Sequence, residues 1–454
     1  MSIHRTMLAA ALTFGAAAAG AAQQSAAAPR AGQPITFADA IGIALKQNVT
    51  VRQAANAAAL GEATVQQQKV QLLPDLRLSV SGSDNVGRNF SQTEGSIINQ
   101  QTQSLSSGLS TSLTLFDGGK TRASIRSAQS SQDASEQELA RAKQTAVFTV
   151  ASDYVALSNA QEQLQVQQEN LAAQQAQLAL IQKFVGAEAR PMSDQYQQEA
   201  AVASARLAVV QASRAVELAK VDLIQVLQLD PARTYDFAAP KLEASEASPS
   251  YDLDSLIARA YATRADLDAQ AALATAAAQD VKVAKASKLP TISVTGSYSS
   301  AFNSASQLSM ADQLDQRRGG SIGVGISIPL FDRGAASIAE QRAQIAEENA
   351  RLALDNQRQT IALEVRRAYL DQASAREQLA AAEAQLAAAT QSVTMTQQRY
   401  QAGAATLVEV TQARAQQVQA ASAVATARNN LVLQQTVMAY YTGALDPATA
   451  TLGA

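Results

Sequence analysis

The chain has no cysteine, no tryptophan and a single histidine, and only 4% of its 454 residues are aromatic. Without thiols there are no disulfides, no thiolate metal sites and no cysteine nucleophile. The one histidine, His4, lies in an N-terminal stretch that reads as a removable leader, so no imidazole is left for catalysis or metal binding. So few aromatics make poor material for a large globular core, whereas the abundant Ala and Gln favour long helices. Strong charge of one sign is missing too. The net charge is −3 and the basic residues are scattered, which excludes nucleic acid as a partner. Past the leader no stretch approaches 18 uninterrupted apolar residues, so no transmembrane helix is expected. Paired acids, a nucleophile elbow and a Gly-rich phosphate loop are also lacking, so the chain is expected to be neither an enzyme nor a binder of cofactors or metals.

The leader has a basic residue at Arg5, an apolar or small run from Met7 to Ala19, and an A-x-A cleavage site at Ala19-Gly20-Ala21. It resembles a Sec signal peptide spanning 1–21. No cysteine follows it, which excludes lipid attachment there. An exported chain without a transmembrane helix is either soluble outside the cytoplasm or crosses a membrane as a β-barrel.

What the chain does have is a second copy of itself. Leu73-Pro74 recurs as Leu289-Pro290, Leu115-Phe116-Asp117 as Leu330-Phe331-Asp332, Tyr154 as Tyr369, and Leu229-Asp230-Pro231 as Leu445-Asp446-Pro447. The shift stays at about 215 residues throughout, so one long unit was duplicated. The units are placed at 22–235 and 251–447, with a Pro-, Ser-, Ala- and Glu-rich linker at 236–250 and a tail at 448–454.

Each unit contains a rod. Thr121 to about Lys183, and Ala335 to about Tyr400, contain no Pro and no Gly. The long helices are expected over about 118–185 and 333–400, each spanning about 100 Å. Apolar residues recur every seven positions in copy one, at Leu157, Leu164, Leu171, Leu178 and Val185. Copy two matches them with Gln372, Leu379, Leu386, Val393 and Tyr400. This period implies a left-handed supercoil. The other half of the seam is polar: Gln161, Gln168, Gln175 and Gln182, matched by Arg376, Glu383, Thr390 and Gln397. Such helices touch partners on two sides and water on another. Shorter helices, Phe37 to Leu72 and Asp194 to Leu229, recur as Leu253 to Lys288 and Glu409 to about Leu445.

After Pro74 and Pro290 the period becomes two. Leu76, Leu78 and Val80 alternate with Arg77, Ser79 and Ser81. Ile322, Val324, Ile326 and Ile328 alternate with small residues. Strands are expected at about 75–84, 106–116, 291–300 and 320–330, with polar loops of about 20 residues between the members of each pair. Apolar on one face and small-polar on the other is the pattern of transmembrane β-strands. Four strands cannot close a barrel, and open edges are not tolerated in lipid, so several chains must pool them. A soluble periplasmic coiled-coil adaptor or scaffold would account for the rods and the leader. It would not account for four alternating strands placed alike in both copies.

Together the two L-P pairs, the L-F-D-G-G at 115–119 with its copy at 330–334, and the tip segments KFVGAEARPMSDQYQQEA from 183 and RYQAGAATLVEVTQARA from 399 identify the family. Over essentially its whole mature length the chain resembles the TolC-like outer-membrane efflux proteins. The resemblance implies a mainly α fold with a small β part: a duplicated long-helix coiled-coil barrel, plus four strands contributed to a trimeric transmembrane β-barrel. It implies a homotrimer in outer-membrane lipid, with helices in the periplasm. It also implies an exit duct that docks a periplasmic adaptor and an inner-membrane pump, the pump supplying the energy. Docking is expected at the tips, on Gly186, Gly403, Ala404 and Leu407. The resemblance places a closing latch on Tyr400 and Asp194, with Ser193 beside it. A basic latch partner of the family falls on Ala405. An entrance-lining acid falls on Glu409, where three copies would form a carboxylate ring, and a second falls on Gln412.

Overall fold

A computed structural model describes residues 34–91, 95–238 and 252–445. The leader, nearly all of the linker, Asp446-Pro447 and the tail lie outside the described residues. The two copies have helices of equal length. The 11-residue α1 (Phe37–Gln47) matches α5 (Leu253–Thr263), and the 22-residue α2 (Val49–Val70) matches α6 (Ala265–Ala286). The rods α3 (Lys120–Gly186) and α8 (Ala335–Gln401) have 67 residues each, and α4 (Met192–Val226) and α9 (Leu407–Tyr441) have 35 each. Strands β1 (Arg77–Ser91) and β2 (Ser96–Phe116) belong to copy one. Strands β3 (Thr291–Asn303) and β4 (Gly319–Ser327), with a short α7 (Met310–Gln316) between them, belong to copy two. Among the described residues no helix is long and apolar enough to cross a membrane.

The D-G-G and D-R-G motifs start the rods. Asp117 accepts from the backbone N–H of Gly119 at 3.0 Å and of Thr121 at 2.7 Å. Asp332 accepts in the same way from Gly334 at 2.9 Å and Ala336 at 2.6 Å. Each carboxylate thus satisfies N–H groups that a helix start leaves without intrahelical partners. Burial alone would raise the Asp117 carboxyl's pKa, but the hydrogen bonds outweigh it and hold the value below the usual one. Gly118 is left-handed, with φ 69°, and a Cβ there would lie 2.7 Å from that of Leu289. The copy-one L-F-D-G-G therefore docks on the copy-two L-P, which sutures the repeats where helix meets strand.

The strands form one antiparallel sheet in the order β1-β2-β3-β4, with β2 against β3 joining the copies. One face carries Leu78, Val80, Leu109, Leu113, Val294, Tyr298, Ile322, Val324 and Ile326. The other carries Ser79, Ser81, Ser106, Ser110, Ser112, Ser293, Ser297 and Ser321. The apolar face is open, with Ile322 86% exposed. On the polar face hydroxyls pair across strands: Ser81 with Ser106 at 2.7 Å, Ser83 with Ser104 at 2.7 Å, and Ser297 with Ser321 at 2.9 Å. These polar pairs explain a departure from the sequence expectation. The copy-one strands run on through most of the anticipated 20-residue loop, because Ser, Thr, Gln and Asn extend the ladder as far as Ser91 and Ser96.

The equators of the two copies are built differently. In copy one, Tyr154 is fully buried between Phe37 and Phe237, and its hydroxyl donates to the Ile35 carbonyl at 2.9 Å. In copy two the corresponding region holds charges. Arg264, between α5 and α6, bonds Asp266 through Nε at 2.9 Å and Nη2 at 2.5 Å, and Glu364 of α8 through Nη1 at 2.5 Å. Arg141 of α3 lies 3.8 Å from Asp266 and stacks 3.9 Å from the Tyr440 ring centroid, so this cluster also crosses between repeats.

Candidate functional site: the helical tip

At the end of the molecule far from the sheet, the turns α3–α4 and α8–α9 lie side by side. Their apolar residues Ile181, Tyr400, Ala405, Leu407 and Val410 form a small buried cluster. The α8–α9 turn is closed by Gly403 in the left-handed region, with φ 78°. The Gly403 N–H reaches the Tyr400 carbonyl at 3.1 Å and the Ala404 N–H the Arg399 carbonyl at 2.8 Å. This is the standard way for a helix to end on glycine. The α3–α4 turn has the same bonding, but its left-handed residue is Glu188, with φ 57°.

Tyr400 is completely buried, so it continues the apolar stripe of α8 and also carries a polar contact. Its hydroxyl donates to Asp194 Oδ2 at 3.4 Å. Burial and the nearby Asp194 carboxylate push the Tyr400 hydroxyl's pKa above its ordinary value, while Arg190 pulls the other way. The phenol is therefore a proton donor and the pairing is chemically sound, although 3.4 Å is long for an O–H donor. Arg190 was not anticipated from the sequence. Its Nη2 donates to the Tyr400 carbonyl at 2.8 Å, and its guanidinium carbon sits 4.4 Å from the ring centroid. Its only sequence signal is a lone arginine before Pro191 in the copy-one tip.

The other expected residues divide. Ser193 and Gln412 are exposed and outside this contact, as are Gly186, Gly403 and Ala404 at the turn surfaces. Leu407 is 3% exposed and packs into the tip cluster, so it builds the turn rather than presenting a surface. Ala405, where the resemblance looked for a base, is buried in the same cluster. Glu409 closes a capping box: its Oε1 accepts from the Thr406 N–H at 3.2 Å and hydroxyl at 3.1 Å. Its second oxygen lies 3.9 Å from Arg399. Further along the coils is a polar layer that period counting did not single out. The buried Gln198 donates to Gln174 Oε1 at 2.7 Å and to its carbonyl at 3.0 Å. Among the described residues no group of acidic or imidazole side chains is placed to hold a metal ion.

A sheet with one open apolar face, set at one end of paired rods whose far ends meet in small turns, defines a membrane-channel type of protein. Comparison with known proteins agrees. The family model for outer membrane efflux protein matches residues 40–227 and 256–444, one stretch in each repeat. The chain is similar to the outer membrane efflux protein BepC of Brucella suis, with 26% identity over 269 residues, 58% of this chain and 54% of that one. It is also similar to protein CyaE of Bordetella pertussis, with 31% identity over 222 residues, 48% of this chain and 45% of that one. The chain thus spans about half the length of the curated relatives it matches. Among solved structures, the Campylobacter jejuni CmeC outer membrane channel superposes with a TM-score of 0.78 at 19% identity, covering 91% of this chain and 87% of that one. The chain belongs to the outer membrane efflux protein family. Its place is the outer membrane, with the helical part in the periplasm.

Proposed function

We propose that three copies of this chain assemble into one channel-tunnel, the exit duct of a tripartite efflux or secretion system. The observation that carries this reading is the sheet. It exposes an apolar face, and among the described residues the outer edges of β1 and β4 have no strand partners. Unpaired edges cannot remain in lipid, so β4 of one copy pairs with β1 of the next until the ring closes. Three copies pool twelve strands, enough for a water-filled lumen lined by the serine face. The rods carry a matching feature. Ile338, Ile345 and Leu352 recur every seven residues on α8 and are exposed in the single chain, as are Leu207, Val210, Leu218 and Val221 on α4. Neighbouring copies cover these stripes.

On this reading the turns carrying Gly186, Gly403 and Ala404 face the periplasmic adaptor, behind which sits the inner-membrane pump, and Leu407 holds their shape. Tyr400 and Asp194 form the closing contact, with Ser193 beside it. Three copies of Glu409 ring the entrance, with Gln412 one helical turn further on. The test is fractionation followed by planar-bilayer recording of the full chain. The duct reading expects recovery with outer membranes and discrete conducting steps. Recovery as a soluble periplasmic protein that never conducts would end it.

A further inference from the structure

We propose that Arg190 is the cation of the tip latch, and that it closes the latch within one protomer by holding the α3–α4 turn onto the end of α8. The proposal rests on the duct reading above. Arg190 makes two contacts with the same residue from different directions. Its guanidinium carbon is 4.4 Å from the Tyr400 ring centroid, and its Nη2 is 2.8 Å from the Tyr400 carbonyl. That carbonyl lies in the last turn of α8, at the negative end of the helix dipole, where a cation is favoured. A planar guanidinium can stack on a ring and donate in its own plane at once; an ammonium cannot do both as well. The Tyr400–Asp194 contact, at 3.4 Å, is weaker by geometry.

The other nearby candidates for the cation are unsuited to the task. Position 405 is a buried alanine. Arg399 is turned to its own turn, reaching the Ala404 carbonyl at 3.1 Å and Glu409 at 3.9 Å. Arg190 is also presented stiffly. It precedes Pro191, which restricts its backbone to extended conformations. The copy-one tip therefore directs a base at the latch, whereas the base of the copy-two tip, Arg399, bonds its own turn. It acts on its own chain's α8, so each protomer is latched separately.

The experiment is single-channel recording in planar bilayers with purified full-length chain. Far-UV circular dichroism and elution volume serve as checks that each variant is folded. Arg190→Ala is expected to raise open-state occupancy at least about tenfold, since a stacked cation plus a charge-assisted hydrogen bond exceed that factor even at the low end of their ranges. Arg190→Lys keeps the charge and is expected to fall between. Tyr400→Phe keeps the ring and the carbonyl, and is expected to change occupancy by less than about threefold. Adding Tyr400→Phe to Arg190→Ala should open the channel no further than the small change that Tyr400→Phe gives alone, since the ring and the carbonyl stay in place. A conducting wild type with Arg190→Ala and Arg190→Lys both indistinguishable from it would overturn the role of Arg190 and leave the duct standing. Absence of conduction from every folded chain would remove the duct reading itself, and the latch with it. Should Arg190→Ala misfold, Arg190→Lys alone decides.

Discussion

Replacing Arg264 by alanine removes the cation of the ion cluster that joins α5, α6 and α8. Arg264 is 3% exposed at its side chain, while Asp266 and Glu364 are 22% and 30% exposed. Three charge-assisted hydrogen bonds vanish with it, and two carboxylates are left facing a cavity. Breaking a fully buried pair costs about 3–5 kcal/mol. Here both acids keep some water, and Asp266 retains Arg141 at 3.8 Å and the Gln357 amide at 3.0 Å, so about 2–3 kcal/mol is the better figure. The chain has no tryptophan, so the assay is thermal loss of helical circular dichroism, expected to come about 2–6 °C earlier. Replacing all three groups, Arg264→Met with Asp266→Asn and Glu364→Gln, should recover part of the loss: no carboxylate is left facing the cavity, while Arg141 gives up its 3.8 Å contact to Asp266. The pH dependence supplies a second check. Burial raises the Asp266 carboxyl's pKa, but the hydrogen bonds and charge of Arg264, with Arg141, outweigh it and hold the value below the ordinary 3.8. The stabilisation is therefore complete above about pH 4 and is lost as the pH falls through the lower folded value. The gap between wild type and Arg264→Ala should narrow below pH 4. An alanine variant that melts with the wild type, or a triple variant no better than the single one, would refute this account of the cluster.

Three further outcomes are expected. Asp153 has a buried oxygen without a hydrogen-bond partner, and burial, then the charge of Asp222, push its pKa up to about 6. Keeping it charged at pH 7.5 works against folding, so Asp153→Asn should stabilise by about 1–2 kcal/mol there. Below pH 6 the aspartic acid is protonated in the fold and the advantage should fade, which melting curves at pH 7.5 and 4.5 would reveal. Glu409→Ala removes half of a capping box and should cost about 0.5–1 kcal/mol in the same assay. If the entrance ring exists, this variant also lowers cation selectivity in bilayers, and unchanged selectivity would retire the ring. Val324→Lys places a charge on the lipid face and should cost about 2–4 kcal/mol of barrel stability near the midplane. Ser321→Lys, on the hydroxyl face, should assemble normally and shift selectivity toward anions; equal yields of the two would show that the faces are assigned wrongly.

The duplication, the rods and the strand faces were legible in the sequence because each rests on a pattern that accumulates over many residues. A rod without Pro or Gly, or an alternation such as Ile322, Val324 and Ile326, survives individual exceptions. The matched motifs also carried the family. What stayed hidden depends on partners far apart in the chain. Arg264 and Glu364 are separated by 100 residues, and the copy-one counterpart of Arg264 is Asn48, an uncharged residue that caps α2 by accepting from the Thr50 N–H at 2.9 Å and donates to the Val226 carbonyl at 3.3 Å. No periodicity distinguishes an arginine that gathers two acids from one that faces water. Arg190 was hidden for the same reason, since its partner is a ring and a carbonyl on the other repeat. The polar seam was only partly readable. Gln175 and Gln182 face outward, whereas the glutamines buried near the tip of the coils are Gln174, Gln177 and Gln198. At the tip, Tyr400 and Asp194 lie 3.4 Å apart, while the burial of Leu407 and the capping role of Glu409 required the turn geometry.

The number of chains in one detergent-solubilised particle bears most directly on the whole account. Native mass spectrometry of the full chain, extracted from outer membranes, should give a particle of three chains, and images of the same sample should show one closed barrel shared among them. A particle of one chain, or a barrel closed by a single copy, would contradict the inference that the free edges of β1 and β4 are completed by neighbours.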